Sequence, residues 1–244
     1  MNLRSQEKPR ALGIIPARGG SKRLPRKNVR LVGDKPLIAH TIVAAQKASA
    51  LTDYIVSSED EEILTVARQF GAQVPFIRPQ ELATDEVRNI DVMLHAVHFM
   101  ERQIDAAYDI IVLLQPTVPV RDPEHINQAV NLLWSSDAST LASVKGPFKK
   151  RDPNLKRLAD DGKLVPYCDR AAGEEWDPFY IYNASIYAMR RDYLIAEQKM
   201  VSSEQVALVM DEAHSIDIDT EMDAIVADAV LRHRAGEMSK GENL

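Results

Sequence analysis

With 244 residues, 45% of them hydrophobic and 27% charged, the chain can bury one sizeable core and is too mixed in composition to be a disordered segment. A formal net charge of -6 argues against general nucleic-acid binding. The single cysteine, Cys168, excludes an intramolecular disulfide and fits a reducing cytoplasm. The longest aliphatic run, Ile110 to Leu114, is too short to span a bilayer, and Met1 to Arg10 is polar, so neither a membrane span nor a secretory leader is expected.

Ala11 to Ile15 is an apolar run ending at Pro16, the pattern of a buried parallel strand. Two glycines and two prolines then force a loop that holds Arg18, Lys22, Arg23, Arg26 and Lys27. A helix is expected from Lys35 to about Ser49, with Leu37, Ile38, Ile42, Val43 and Ala45 at helical spacing. Asp53 to Ser57 reads as a strand, and Ser57-Ser58-Glu59-Asp60 opens a helix that Gly71 closes after Phe70. Gln73 to Ile77 is expected as a strand, Arg78 to Asp85 as a loop and Val87 to Arg102 as a helix. Ile110 to Leu114 has the most buried-looking strand pattern and stops at Gln115-Pro116. Asp122-Pro123-Glu124 caps a helix whose stripe Ile126, Ala129, Val130 and Leu133 is core, and Ser139 to Val144 is a strand. This alternation predicts an α/β fold with a mainly parallel, Rossmann-like sheet covered by helices on both faces.

The pattern changes near Gly146. Pro147 to Asp177 is polar and turn-rich, an extended excursion whose Phe148, Tyr167, Trp176 and neighbouring Pro178 suit an interface or a lid. Tyr180 to Met189 returns as a strand, Asp192 to Gln198 is a short helix, and Val206 to Met210 and Ser215 to Ile218 are strands. A last helix is expected from Glu221 to Ala235 with Gly236 as its C-cap, followed by a fraying tail.

Two stretches carry chemistry. The loop after the first strand concentrates positive charge in an acidic chain, and Gly19 and Gly20 let its backbone N–H groups approach an anion, for which a polyphosphate is the natural occupant. It matches neither the Gly-x-x-x-x-Gly-Lys-Ser/Thr nor the Gly-x-Gly-x-x-Gly pattern. A solvated basic loop is the plain alternative, but its place at the carboxyl end of a strand, where open α/β sheets bind ligands, favours the site. Asp217 and Asp219, two apart on a strand, share a face at roughly 6–7 Å between Cα atoms and suit a hard cation such as magnesium. The alternative is a helix cap at Asp219 and a surface residue at Asp217; Thr220 and Asp223 make a capping-box pattern beside them. His95 and His98 lack further ligands at metal spacing, and Cys168 has no histidine partner in sequence.

The run Ile14 to Asn28, IIPARGGSKRLPRKN, resembles the signature loop of the cytidylyltransferases that activate sialic acids and related nine-carbon sugars. Leu113 to Arg121 and Ser215 to Asp223 resemble two later motifs of that family, in the same order, so the likeness covers nearly the whole chain. The resemblance implies one domain over 1–244: a nucleotide-binding half at about 10–145, a dimerisation and sugar-lid excursion at about 146–180, and a metal motif with C-terminal helix at about 206–236. It implies CTP and a 2-keto sugar acid as substrates, Mg2+ as cofactor, and a homodimer. Arg18, Ser21, Lys27 and Asn28 are implied at the nucleotide beside Gly19, Gly20 and Lys22, Gln115 at the nucleotide or the sugar, and Asp217 and Asp219 at the magnesium. Lys27 and Arg18 would balance phosphate charge while the anomeric hydroxyl attacks the α-phosphate and pyrophosphate leaves.

Where the family commonly carries Gln-Pro-Thr-Ser-Pro-Leu-Arg, this chain has Val118 and Val120. Where sialic-acid enzymes carry Arg-Pro-Asn-Gly, it has Ile181-Tyr182-Asn183-Ala184, so the arginine implied at the sugar carboxylate is missing while Asn183 remains. Lys149, Lys150, Arg151 and Arg170 are the cations that could replace it, and Arg170 is taken as the sugar residue. The change points towards legionaminic or another nonulosonic acid. Activation of another sugar with another base, and a catalytically silent nucleotide-binding homologue, are the alternatives; the family's Kdo enzymes carry a different first loop.

Overall fold

The computed structural model describes residues 8–148, 156–166 and 178–241. In chain order the strands and α-helices are β1 (Ala11–Pro16), β2 (Leu31–Val32), β3 (Lys35–Pro36), α1 (Leu37–Lys47), β4 (Asp53–Ser57), α2 (Glu61–Gln69), α3 (Asn89–Ile104) and β5 (Ile110–Leu114). They continue with α4 (Pro123–Ser135), β6 (Thr140–Phe148), β7 (Lys156–Leu158), β8 (Leu164–Pro166), β9 (Phe179–Arg190), α5 (Arg191–Glu197), β10 (Gln205–Met210) and α6 (Glu221–Gly241). Among the described residues the main sheet runs β10-β6-β9-β5-β1-β4. β1 pairs parallel with β4 and β5, and β10 parallel with β6, whereas β9 is antiparallel to both its neighbours. The mainly parallel α/β expectation therefore holds, with one change. β6 does not join β5: the crossover through α4 leaves a gap that β9 fills.

The unbroken apolar runs are explained by a core on each face. Along β5, Ile110, Val112 and Leu114 enter one core with Ile38, Ile42 and Val130, while Ile111 and Leu113 enter the other with Met93, Val97 and Leu194. Alternation between two dry faces needs no polar position, which is why β5 reads as continuous hydrophobicity. A third cluster, of Leu24, Val32, Leu37, Ile218, Ala224 and Ala227, clamps α6 and the segment before it onto the end of the first loop.

Five expectations are corrected. Gln73 to Ile77 is not a strand; Gln73 makes one parallel bridge to Ile55, and Pro75 has no N–H to extend a ladder. α1 starts at Leu37 because Lys35 and Pro36 pair back on Leu31 and Val32 across a turn with Gly33 at φ +68°. Ser215 to Ile218 is not a strand either: Ala213–Ser215 is a 3-10 turn, and the next residues run extended without a ladder. α6 passes through Gly236 without a left-handed stop, and one glycine costs only about 1 kcal/mol in a helix. The excursion begins later than expected: β6 stays in the main sheet through Pro147 to Phe148, opposite Phe179, and the described part outside that sheet is the β7–β8 hairpin; Lys149, Lys150, Arg151, Tyr167, Cys168, Arg170 and Trp176 lie outside the described residues.

Candidate active site

The carboxyl ends of β1 and β5 open on a cavity of about 290 Å3. Arg18, Ser21, Lys27, Asn28 and Gln115 of the sequence reading all line it. An adjoining cavity of about 370 Å3 is lined by Arg18, Ser21, Lys22, Arg23, Lys27, Asp85 and Asp219, so the first loop and the second aspartate of the late motif face one space. Gly19 and Gly20 line neither. The Gly19 N–H donates to Glu59 Oε1 at 2.8 Å, and a Cβ there would run into the Asp60 carboxylate. Gly19 is thus needed for close packing against the start of α2, while nothing lies near enough to Gly20 to require glycine.

Local geometry fixes the cationic side chains. Pro16 ends the ladder, Arg26 takes a left-handed φ of 59°, and a 3-10 turn at Lys27–Val29 follows. Asn28 is buried and donates from Nδ2 to Arg18 O at 3.0 Å, closing the loop on itself. Its Oδ1 has no hydrogen-bond partner among the described residues, and neither has Nε of the buried Arg78, which also lines the cavity. Both residues line the cavity, and an unpaired buried acceptor and donor there are the exceptions to the rule that buried polar groups find partners.

The cations of the cradle are paired with carboxylates on the same walls. Arg18 Nη1 lies 2.7 Å from Asp85 Oδ1, and Lys22 pairs with the same carboxylate. The ammonium of Lys22, with help from Arg18, holds the Asp85 carboxyl below the usual range. Lys27 Nζ donates to Ile218 O at 2.7 Å and Asp219 Oδ1 at 3.1 Å, and Arg23 Nη1 reaches Asp219 Oδ2 at 2.9 Å. Asp217, two residues earlier, is raised above the usual carboxyl range, first by burial of its charge and then by the like charges of Asp219 and Asp223. A hydrogen bond from Thr117 and the charge of Lys27 act in the opposite direction. By surface area Asp217 is exposed, and the direction of the shift comes from the protein surrounding its carboxyl on one side. Hard oxygen donors with an excess of negative charge fit a divalent cation, as two carboxylates beside a phosphate pocket do for magnesium.

Gln115 stands at the cavity wall, its backbone carbonyl accepting from Arg121 Nη2 at 2.9 Å. Asn183 is placed otherwise than the sugar reading expects. It is buried, Oδ1 accepts from Ser143 Oγ and Ser185 N, and Nδ2 donates to Ser215 Oγ at 2.9 Å. Arg78, Thr84, Asp85 and Asn89 are lining residues that the sequence reading missed. Their one signal is position, since Arg78 to Asp85 lies downstream of β4 on the same edge of the sheet. His95 is packing: its ring meets Phe76 edge-on at 4.7 Å.

An open α/β sheet with a cationic loop at its carboxyl edge and a carboxylate pair opposite is the architecture of a nucleotidyltransferase. The cytidylyltransferase family model matches residues 12–216. The chain is 36% identical over 232 residues to the CMP-N,N'-diacetyllegionaminic acid synthase of Legionella pneumophila subsp. pneumophila, covering 91% of this chain and 96% of that one. It is 32% identical over 219 residues to the N-acylneuraminate cytidylyltransferase of Escherichia coli O18:K1:H7, covering 87% of this chain and 50% of that longer one. A solved CMP:2-keto-3-deoxy-manno-octonic acid synthetase in complex with CTP superposes with a TM-score of 0.69 at 17% identity, over 92% of this chain and 99% of that one, which shows a shared fold. The chain belongs to the cytidylyltransferase family, in its nonulosonic acid branch.

Proposed function

We propose that this enzyme transfers a cytidylyl group from CTP to the anomeric hydroxyl of a sialic-acid-like nonulosonic acid, with magnesium held by Asp217 and Asp219. One observation carries the reading: four cations of the first loop converge on two cavities, where they are paired with only two carboxylates. A triphosphate offers those cations denser negative charge. Arg18 and Lys22 exchange Asp85 for phosphate oxygens, and Lys27 and Arg23 release Asp219.

Catalysis then rests on alignment and charge. Lys27 is positioned by its bond to Ile218 O, so its ammonium faces the phosphates without a search for a rotamer. Arg18 is braced near Thr84 O, 3.4 Å away. Gln115 on the rigid end of β5 holds the nucleotide or the sugar. A magnesium ion on Asp217 and Asp219 supplies electrophilic stabilisation of the phosphoryl oxygens when bound. Similarity to a legionaminic acid synthase, together with Ile181 in place of arginine on β9, supports legionaminate or a close relative over N-acetylneuraminate. Arg170, outside the described residues, keeps its proposed role at the sugar carboxylate.

A homodimer is part of the same proposal. Phe179, Tyr180, Ile181 and Tyr182 are exposed along the start of β9, and Leu158 and Leu164 of the hairpin are 70% and 72% exposed. So much apolar surface on one excursion suits a second copy of the chain. Sedimentation at micromolar concentration should give the dimer mass; a monomer throughout removes this part. No described helix is long and apolar enough to cross a membrane.

Pyrophosphate release from CTP and magnesium, with a panel of N-acetylneuraminate, KDN, Kdo, legionaminate and pseudaminate, tests the reading. Turnover with one nonulosonic acid is expected, and Asp217→Asn and Asp219→Asn should abolish it. Metal-dependent release that survives both substitutions would overturn the metal assignment.

A further inference from the structure

The Asp217–Asp219 segment is not part of a sheet; one backbone bond, Ile218 N to Thr117 O, ties it to the β5–α4 loop, and the rest of its geometry is set by side chains. The bonds that set it lead to Asn183. We propose that Asn183 is a positioning residue for the Asp217–Asp219 turn, acting through Ser215 and touching neither sugar nor nucleotide. The proposal rests on the magnesium reading for its consequence, though not for its geometry.

Asn183 Nδ2 donates to Ser215 Oγ at 2.9 Å, and Ser215 Oγ in turn donates to Asp211 O at 2.6 Å, pinning the 3-10 turn two residues before Asp217. On its other side, Asn183 Oδ1 takes Ser143 Oγ at 2.5 Å and Ser185 N at 3.1 Å, using both lone pairs. The backbone is distorted to aim the amide: Ala184 takes a left-handed φ of 58°, and the β6–β9 register shifts between Ala142 and Val144. Asn183 is buried, both lone pairs of its Oδ1 are filled from the protein and one Nδ2 N–H is taken by Ser215 Oγ, so most of its hydrogen-bonding capacity is spent on the fold.

Behind Asn183 the polar seam continues. The buried Arg121 guanidinium donates to Ser185 Oγ at 3.0 Å, Ser185 O at 2.6 Å, Thr41 Oγ1 at 3.2 Å and Gln115 O at 2.9 Å, all neutral acceptors. Burial pulls its pKa down to about 9. α1, the β5–α4 loop, β9, β6 and the turn are therefore tied by one chain of bonds. In such a seam each missing member strands its neighbours. The turn has a second anchor: His214 bonds to Asp211 through its backbone N and Nδ1, and its Nε2 lies 3.0 Å from Asp122 Oδ2. Arg234 bridges Asp122 and His214 from α6. Asp122, His125 and His214 come close enough to suggest a metal cluster, but the guanidinium of Arg234 already supplies the cation between Asp122 and His214. These anchors hold one end of the segment, while Ile218 N on Thr117 O at 2.8 Å and Lys27 on Ile218 O hold the other. The two aspartates are fixed between them.

The test uses the full-length protein with Asn183→Ala, Ser215→Ala and the double variant. Hydrogen exchange of the Ile218 amide in the ligand-free protein should speed up about tenfold in each, with Val112 and Leu113 unchanged. Calorimetric titration of Mg2+ into the CTP complex should show about five- to tenfold weaker affinity, while KM for the sugar at saturating metal stays within twofold. Because both side chains act through one bond, the double variant should be no worse than the worse single. If Asn183→Ala raises the sugar KM and leaves Ile218 exchange and metal affinity alone, Asn183 touches the sugar and the proposal fails. If Asn183→Ala does not fold, Ser215→Ala decides: unchanged Ile218 exchange overturns the proposal. The two readings fail separately, since unchanged metal affinity in Asp217→Asn and Asp219→Asn removes the magnesium assignment, whereas Ile218 exchange needs no metal.

Discussion

The two walls of the site are built differently. The loop wall stands on β1 and β5, whose hydrogen-bond ladders and two dry faces fix where Arg18 and Gln115 emerge. The opposite wall, Asp217 to Asp219, stands on no ladder and is held by Lys27, Thr117, Asn183 and a small third cluster. A wall on a sheet is rigid before ligand arrives. A wall held by side chains can be loosened one bond at a time, and that difference sets what substitutions should do.

The largest effect is expected at Lys27, which belongs to both walls. Its ammonium is largely buried, 12% exposed at the side chain, and binds both Ile218 O and Asp219. Lys27→Met should lower kcat by about 10^2–10^3-fold and also release the turn, so that Ile218 exchanges faster without ligand. A kcat loss with unchanged exchange would mean that Lys27 acts on the phosphates alone.

Next comes Ile218, fully buried among Leu24, Val32 and Leu37. Ile218→Ala should cost about 2–4 kcal/mol by urea unfolding. Ile111→Ala, in β5, should cost a similar amount while leaving the Mg2+ requirement of the surviving folded fraction unchanged. If both variants alter that requirement equally, the turn is no looser than the sheet.

The asymmetry also explains what could be read from the sequence. β4 and β5 were legible to the residue, as Asp53–Ser57 and Ile110–Leu114, because periodicity and capping are local signals. Five predicted residues meet in one cavity because Arg18 and Gln115 follow directly on strand ends, while the first loop, closed by Asn28 on Arg18 O, brings Ser21, Lys27 and Asn28 back beside them. The aspartate motif was mistaken for a strand, since its partners lie as far as 196 residues away, as Arg23 does from Asp219. Asp85 was invisible for the same reason: its role depends on a loop that folds back from beyond β4. Asn183 carried a family expectation that the hydrogen-bond pattern around it does not favour.

A smaller effect is expected at Asp85, a partly exposed acid that occupies two cations of the loop wall. Asp85→Asn should lower the dissociation constant for CTP about two- to fivefold at low salt, the range of an exposed ion pair, and less at high salt. Weaker binding would mean that Asp85 contacts the nucleotide directly.

The smallest effect separates the walls by pH. His40 of α1 bonds through Nε2 to Val32 O at 2.7 Å, next to the third cluster that carries the turn. Burial, the dominant cause, holds its pKa below the usual imidazole value; the bond to Val32 and the charge of Asp34 only partly oppose this, and Lys35 adds to it. A depressed folded pKa means that the unfolded chain binds the proton more readily. The stability His40 contributes is therefore complete above the ordinary histidine pKa and is lost as pH falls through that value towards the folded one. Between about pH 7 and pH 5, exchange at Val32 and Ile218 should rise relative to Ile111, after correction for the intrinsic rate. His40→Gln should flatten that rise. Equal pH dependence at Ile111 and Ile218 would mean that both walls open with the whole molecule, and the contrast between them would then lie in catalysis alone.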